Sequence, residues 1–256
     1  MSIAVLIKHV PDTETKIQIK PDNSGIVQDN VKYIMNPYDE FAVEAAIQLG
    51  EKTGKETTVI SMGDAGAVDS LRTALAMGIQ KAVHVETDGE WYDAFTTATA
   101  LSSVLKEGGY EVILCGKQAI DSDNSQTVSM VAELMDIAQV NVVEELSMDG
   151  EALTAVRRVG GGGKETYKPS LPAILGAEKG LNTPRYASLP GIMKAKSKPV
   201  DKKSAKDLLN GAGNLISFSN YNLPPERKAG QVIDGDSPQA KAASLVKMLR
   251  EEAKVI

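Results

Sequence analysis

With 256 residues, 42% of them hydrophobic and 24% charged, the chain has the make-up of an ordinary globular protein, with room for one large domain or a domain and an arm. Its net charge of −6 argues against nucleic-acid binding through charge, and no apolar run approaches a membrane span, so neither nucleic acid nor membrane insertion is expected. The single cysteine, Cys115, excludes an internal disulfide, and residues 3–10 are too short for a signal segment, which makes a cytoplasmic setting the expectation.

From the N-terminus, short apolar runs alternate with helix-like segments, the pattern of βαβ units. Strands are predicted over residues 3–8, 56–62, 81–86 and 111–116. Their Val, Ile and Leu content without clean alternation suits strands covered on both faces. The first helix should begin at Asn36-Pro37, where Asn36 can cap, Pro37 takes the first helical position, and Asp39 and Glu40 sit in the first turn. A second spans about 65–77, with Val68, Leu71 and Leu75 on one face and Gly78 beyond its end. A third covers about 92–106 and stops at Gly108-Gly109, and a fourth runs from about 126 to 135 after the polar segment 117–125. The fold class is therefore α/β, with a doubly wound, mostly parallel Rossmann-like sheet.

Beyond Asp136 the pattern alternates, and residues 140–178 read as antiparallel strands extending the sheet. The four glycines 160–163 lack the following helix that a phosphate loop requires, so they are expected to form a hairpin turn. Residues 181–198, LNTPRYASLPGIMKAKSK, carry Pro184, Pro190 and the cations Arg185, Lys194, Lys196 and Lys198 around the apolar Leu189, Ile192 and Met193. They are expected to form an exposed loop that a protein partner covers. The segment after Pro199 holds few large apolar residues, and a final helix opens at Ser237-Pro238 with Ala242, Leu245, Val246 and Leu249 at helical spacing. The expected division is a nucleotide-binding core over 1–190 and an arm over 191–256 whose helix packs on a partner subunit.

In an open parallel sheet, ligands bind beyond the carboxyl ends of the strands. Those ends gather Ile7, Lys8 and His9, then Ser61, Met62 and Gly63, then Cys115, Gly116, Lys117 and Gln118, and the helix opening at Gln126 would aim its free N–H groups at this rim. The same residues also suit ordinary caps and turns. Catalytic groups are scarce: His9 and His84 have no nucleophile or metal partner in sequence, Cys115 lies in an apolar strand, and no carboxylate pair suggests acid–base work. A binding or carrier protein is favoured over a hydrolase or transferase, with no catalytic residues of its own expected.

The motifs MNPYDEFAVEAA (residues 35–46), GKQAIDSDNSQT (116–127) and LNTPRYASLPGIMKAKSKP (181–199) closely resemble the β subunit of electron transfer flavoproteins. The resemblance implies a heterodimer with a homologous α subunit that holds FAD in a cleft facing β, and an AMP of structural role within β. The family's AMP contacts fall on Leu6, Asn36, Pro37, Tyr38, Asp39 and Met62, and on Gly116, Lys117, Gln118, Ala119, Ile120, Asp121, Ser122, Asp123, Asn124, Ser125, Gln126 and Thr127. Tyr38 takes the place of an aromatic near the flavin, whereas Thr13 stands where some members carry a tyrosine. The segment 181–198 resembles the family's recognition loop. It implies docking through Arg185, Tyr186, Leu189, Pro190, Ile192, Met193 and Lys194, with Leu189 as the anchor in an acyl-CoA or related flavin dehydrogenase. Electrons would leave to a quinone reductase or other acceptor.

Two alternatives stand beside this reading. One is a bifurcating flavoprotein component with a second FAD and NADH at the β site. Such members tend to follow the shared glutamine with Val-Gly-Pro, where this chain has Gln126-Thr127-Val128-Ser129. The other is a stand-alone nucleotide-binding sensor of similar core fold, which the long arm and apolar terminal helix argue against.

Overall fold

The computed structural model describes residues 2–227 and 229–256. In chain order the elements are β1 (Ser2–Ile7), β2 (His9–Pro11), β3 (Tyr33–Met35), α1 (Pro37–Thr53), β4 (Glu56–Gly63), α2 (Ala67–Met77), β5 (Lys81–Glu86), α3 (Ala94–Gly108), β6 (Val112–Gly116) and α4 (Thr127–Met135). They continue with β7 (Ala138–Asp149), β8 (Ala152–Arg158), β9 (Lys164–Tyr167), β10 (Ala173–Ala177), α5 (Leu189–Ser197), β11 (Asp201–Ser204), α6 (Ala205–Leu209) and α7 (Pro238–Glu251). Among the described residues these strands form a nine-stranded sheet in the order β11-β5-β4-β1-β6-β10-β7-β8-β9, and a separate β2-β3 hairpin.

The predicted core strands and helices are all present, and the reason is burial. Strand β1 contributes Ile3 and Val5 to one face, against α1 and α2, and Ala4 and Leu6 to the other, against α3 and α4. A strand buried on both faces needs an apolar residue at every position, which is why the run does not alternate. Helices α1 and α3 each end at a left-handed glycine, Gly54 and Gly109.

Three expectations need correcting. Strand β10 is parallel to both β6 and β7 and lies between them, so only β8 and β9 extend the sheet in antiparallel fashion. All five β10 residues are buried. Residues 189–197 form the helix α5, with Ser188 accepting the N–H of Gly191 as N-cap. Pro190 falls in the first turn, where a proline removes no intrahelical hydrogen bond. The packed core also continues past residue 190, because β11 pairs in parallel with β5 as the edge strand and α6 buries Ala205 and Leu209. The glycines do make the β8–β9 turn: Arg158 pairs with Lys164 across it.

Among the described residues, 210–227 and 229–236 carry no regular element, and α7 has no buried residue, so its Leu245 and Val246 stay exposed. The arm is fastened where it leaves the core. Asp93, the N-cap of α3, accepts the N–H of Thr96 on one oxygen at 2.7 Å and those of Leu215 and Ile216 on the other at 2.6 and 3.1 Å. Its own N–H donates to Asn214 at 2.7 Å, and Trp91 meets Phe218 edge-on at 5.4 Å between ring centroids. Burial opposes ionisation of Asp93, but its donors outweigh it and hold the carboxyl below the ordinary range. A depressed folded pKa means that the clasp's stability is present above the unfolded carboxylate pKa and is lost as pH falls through the lowered one. Asp93→Ala is expected to raise amide hydrogen exchange at Leu215 and Ile216 by about tenfold at neutral pH. Acidification of the unaltered chain through the carboxylate range should likewise lower the protection of these two amides relative to their intrinsic exchange at the same pH.

Candidate functional site

The chain reverses direction across the sheet between β1 and β6: β4 and β5 lie on one side of β1, and β6, β10 and β7 on the other. This is the topological switch point, where an α/β sheet opens a crevice beyond its carboxyl ends. Into it project the ends of β1 (Ile7, Lys8), β4 (Met62, Gly63) and β6 (Gly116, Lys117), and the N-terminus of α1.

The N-terminus of α1 locks the crevice. Asn36 is buried, yet its side chain does not cap α1 as its sequence position suggests. Instead Nδ2 donates to the carbonyl of Gln118 at 2.9 Å and Oδ1 accepts the N–H of Ile120 at 3.2 Å, so one amide holds the segment after β6 by both edges. Asp39, 4% exposed, accepts the N–H of Lys8 at 2.7 Å and the N–H of Gly116 at 2.9 Å, tying the ends of the two strands that flank the switch point. Burial pushes this carboxyl up to about 7, against the pull of the Lys8, Asn36 and Gly116 donors. Lys8 closes the front through a 2.6 Å ion pair with Asp121.

The segment 117–126 folds back on itself. Gln118 donates to Asp123 at 2.7 Å and accepts from Ser125 at 3.2 Å, with Asp123 and Ser125 both in the left-handed region. Residues 121–126 are exposed, and Gln126 precedes α4 without a side-chain cap, so the first N–H groups of the helix have no capping side chain. Lys117 pairs with Glu178 at 2.6 Å and lies 5.0 Å from the centre of the half-buried Tyr38 ring. Leu6 and Met62 pack with the α3 and α4 side of the core, near the carboxyl ends of β1 and β4, and Pro37 opens α1, which packs on the other face.

Leu6, Asn36, Pro37, Tyr38, Asp39, Met62 and the run 116–127 are thus brought to one rim. Within it Asn36 and Asp39 face other protein groups. Lys8 and Glu178 belong to the same constellation. Lys8 was visible only as a strand end, and Glu178 had no signal because it follows the inserted strand β10. The segment bearing Arg185, Tyr186, Leu189, Pro190, Ile192, Met193 and Lys194 is a separate surface on α5 and its approach. Tyr186 and Leu189 there are 99% and 75% exposed.

The histidines have structural surroundings. His84 is buried with Nε2 at 3.1 and 3.0 Å from the carbonyls of Gly63 and Asp64, and His9 meets Ser70 at 2.8 Å and stacks on Tyr33. Burial pushes the Cys115 thiol up, with the nearby Asp39 charge adding to it, which keeps this thiol protonated. Among the described residues there is no cluster of metal-ligating side chains, and no helix is long and apolar enough to cross a membrane.

The electron transfer flavoprotein domain family matches residues 24–208. The chain is 40% identical to the electron transfer flavoprotein subunit beta of Bacillus subtilis and 39% identical to the mitochondrial subunit beta of Arabidopsis thaliana, in each case over the full length of both chains. It is 38% identical to the human subunit beta over 91% of this chain and 93% of that one. Matches of this extent and identity leave one assignment: the chain belongs to the electron transfer flavoprotein family, as a β subunit.

Proposed function

We propose that this β subunit holds AMP at the switch point and, joined to an α subunit whose FAD faces it, carries electrons from a soluble acyl-CoA or related flavin dehydrogenase to a quinone reductase or other acceptor. The observation that supports the nucleotide is the rim itself, where Asn36 fixes the backbone of residues 118 and 120, the start of α4 has no capping side chain, and the hydroxyl and amide residues of 122–126 are exposed. N–H groups at a helix start suit a phosphate, and Leu6 and Met62 offer an apolar wall for a base. Asp121, neutralised by Lys8, need not repel the phosphate.

The flavin supplies the redox chemistry when bound to α. What this chain contributes is a rigid frame for the nucleotide and an exposed apolar helix for the electron donor. The uncovered stripe on α7 and the exposed Leu215, Ile216 and Phe218 of the arm fit a surface completed by α. Co-production with the α subunit, followed by nucleotide extraction from the purified heterodimer, tests the reading. FAD and AMP in equal amounts are expected. FAD at twice the heterodimer with no AMP would replace AMP by a second flavin, and a nucleotide-binding monomer indifferent to α would leave only a sensor.

A further inference from the structure

Helix α5 carries the exposed Leu189, Ile192 and Met193, but it has nine residues and buries only Ala195. A helix this short has little stability of its own, so its orientation must come from its attachments. Two arginines supply them. Arg185, expected from sequence to touch a partner, turns inward: its guanidinium donates to Glu44 at 2.8 and 3.0 Å and to Glu51 at 2.8 and 3.2 Å, both on α1. Glu44 is nearly inaccessible, so this pair is much less screened than a surface bridge. Arg72, on α2, donates to the carbonyls of Ala195 and Lys198 and so satisfies the C-terminal end of α5, where a cation also suits the helix dipole. Gly191 sits on the last turn of α2, where a β-carbon would collide with the carbonyl of Ala76.

We propose that Arg72 and Arg185 are positioning residues for docking: they hold α5 at both ends so that Leu189 and Met193 are presented in a fixed geometry, and neither touches the docked protein. The proposal rests on the docking reading above. A surface ordered before encounter loses less entropy on binding, so its disorder weakens affinity without altering the transfer step once docked.

The heterodimer, loaded with its cofactors, is used as the electron acceptor of a purified acyl-CoA dehydrogenase, and its concentration is varied. Leu189→Ala tests the docking reading and is expected to raise the KM for the heterodimer about tenfold. Arg72→Gln and Arg185→Gln are expected to raise it about fivefold each, with kcat within twofold, flavin content unchanged and equal reduction by dithionite. Arg72→Lys, which keeps a cationic donor, should restore most of the loss. If Arg185→Gln fails to fold because Glu44 is left unpaired, the Arg72 pair of variants decides. A raised KM in Leu189→Ala with unchanged KM in the arginine variants, or a lowered melting temperature without a KM change, overturns the positioning role and keeps the docking reading. No effect of Leu189→Ala removes the docking reading and this proposal with it.

Discussion

Asp39→Ala is expected to destabilise the chain by about 3 kcal/mol or more and to strip the proposed AMP from the heterodimer, because it leaves two buried N–H groups without an acceptor at roughly 1–3 kcal/mol each. Those groups belong to Lys8 and Gly116, one on each side of the switch point, so the loss falls on the crevice as well as on the core. Thermal unfolding should show it as a drop of roughly 6–12 °C in Tm for a chain of this size. The effect also has a predictable pH dependence. Since burial raises the folded pKa of Asp39 to about 7, the native state retains a proton that the unfolded chain has released, and this group's contribution falls as pH rises from the ordinary carboxylate range to about 7. The alanine variant lacks that slope. The stability gap between the two proteins should therefore be widest in acid and narrow as pH approaches 7; a gap that widens over this range would mean that Asp39 is ionised throughout and held by its donors. Nucleotide content measured on the same samples separates the two roles of the residue. Retention of AMP in a destabilised variant would leave Asp39 with structural work only.

How far the sequence reaches depends on whether the deciding contact is local. The start of α1 was readable because Asn36-Pro37 and the acidic first turn act within four residues of one another. What Asn36 does with its side chain was not, since its partners at 118 and 120 are more than eighty residues away. Strand β10 could be recognised as a strand but not oriented: a five-residue run buried on both faces has no polar side to betray its direction, and a connection through β7, β8 and β9 suggests antiparallel return. For β11 the failure is the reverse. Its sequence, Asp-Lys-Lys-Ser, is what an exposed edge strand uses to discourage further pairing, and such composition is indistinguishable from a linker. Helix α5 was hidden by Pro184 and Pro190, which rule out a helix interior but not a first turn.

These misses have a common consequence for the site. The rim at 116–127 was found from strand ends and a helix start, which are sequence-local, whereas the groups that hold it in place, Lys8 to Asp121 and Lys117 to Glu178, are long-range ion pairs. Partners of opposite charge are common along any chain, so spacing does not nominate them. The positions legible from sequence are strand ends and helix starts, whatever they touch; what the sequence misses is which distant groups they bind, and for Asn36, Asp39, Lys8 and Lys117 those groups are what make the rim rigid.

Gly116 marks the tightest point of that frame, and Gly116→Ala is the sharper test of it. A β-carbon there would overlap the Asp39 carboxylate and lie 2.6 Å from Cβ and 2.9 Å from the carbonyl carbon of Tyr38. Neither neighbour can retreat easily: the carboxylate is fixed by the N–H of Lys8, and the Tyr38 backbone is part of the first turn of α1. Overpacking of this kind costs about 1–3 kcal/mol, and the upper end is expected where the obstacle is backbone. Relief would come from moving the start of α1 away from β6, which lengthens the Asp39 bond to Gly116 and the Asn36 bonds to 118 and 120. The variant should therefore lower Tm and reduce retention of the proposed AMP together, whereas Gly160→Ala, with nothing within 4 Å of the added carbon, should change neither. Equal behaviour of the two variants would show that the approach of α1 to β6 is not what shapes the crevice. A loss of stability with full nucleotide content would place the strain away from the rim.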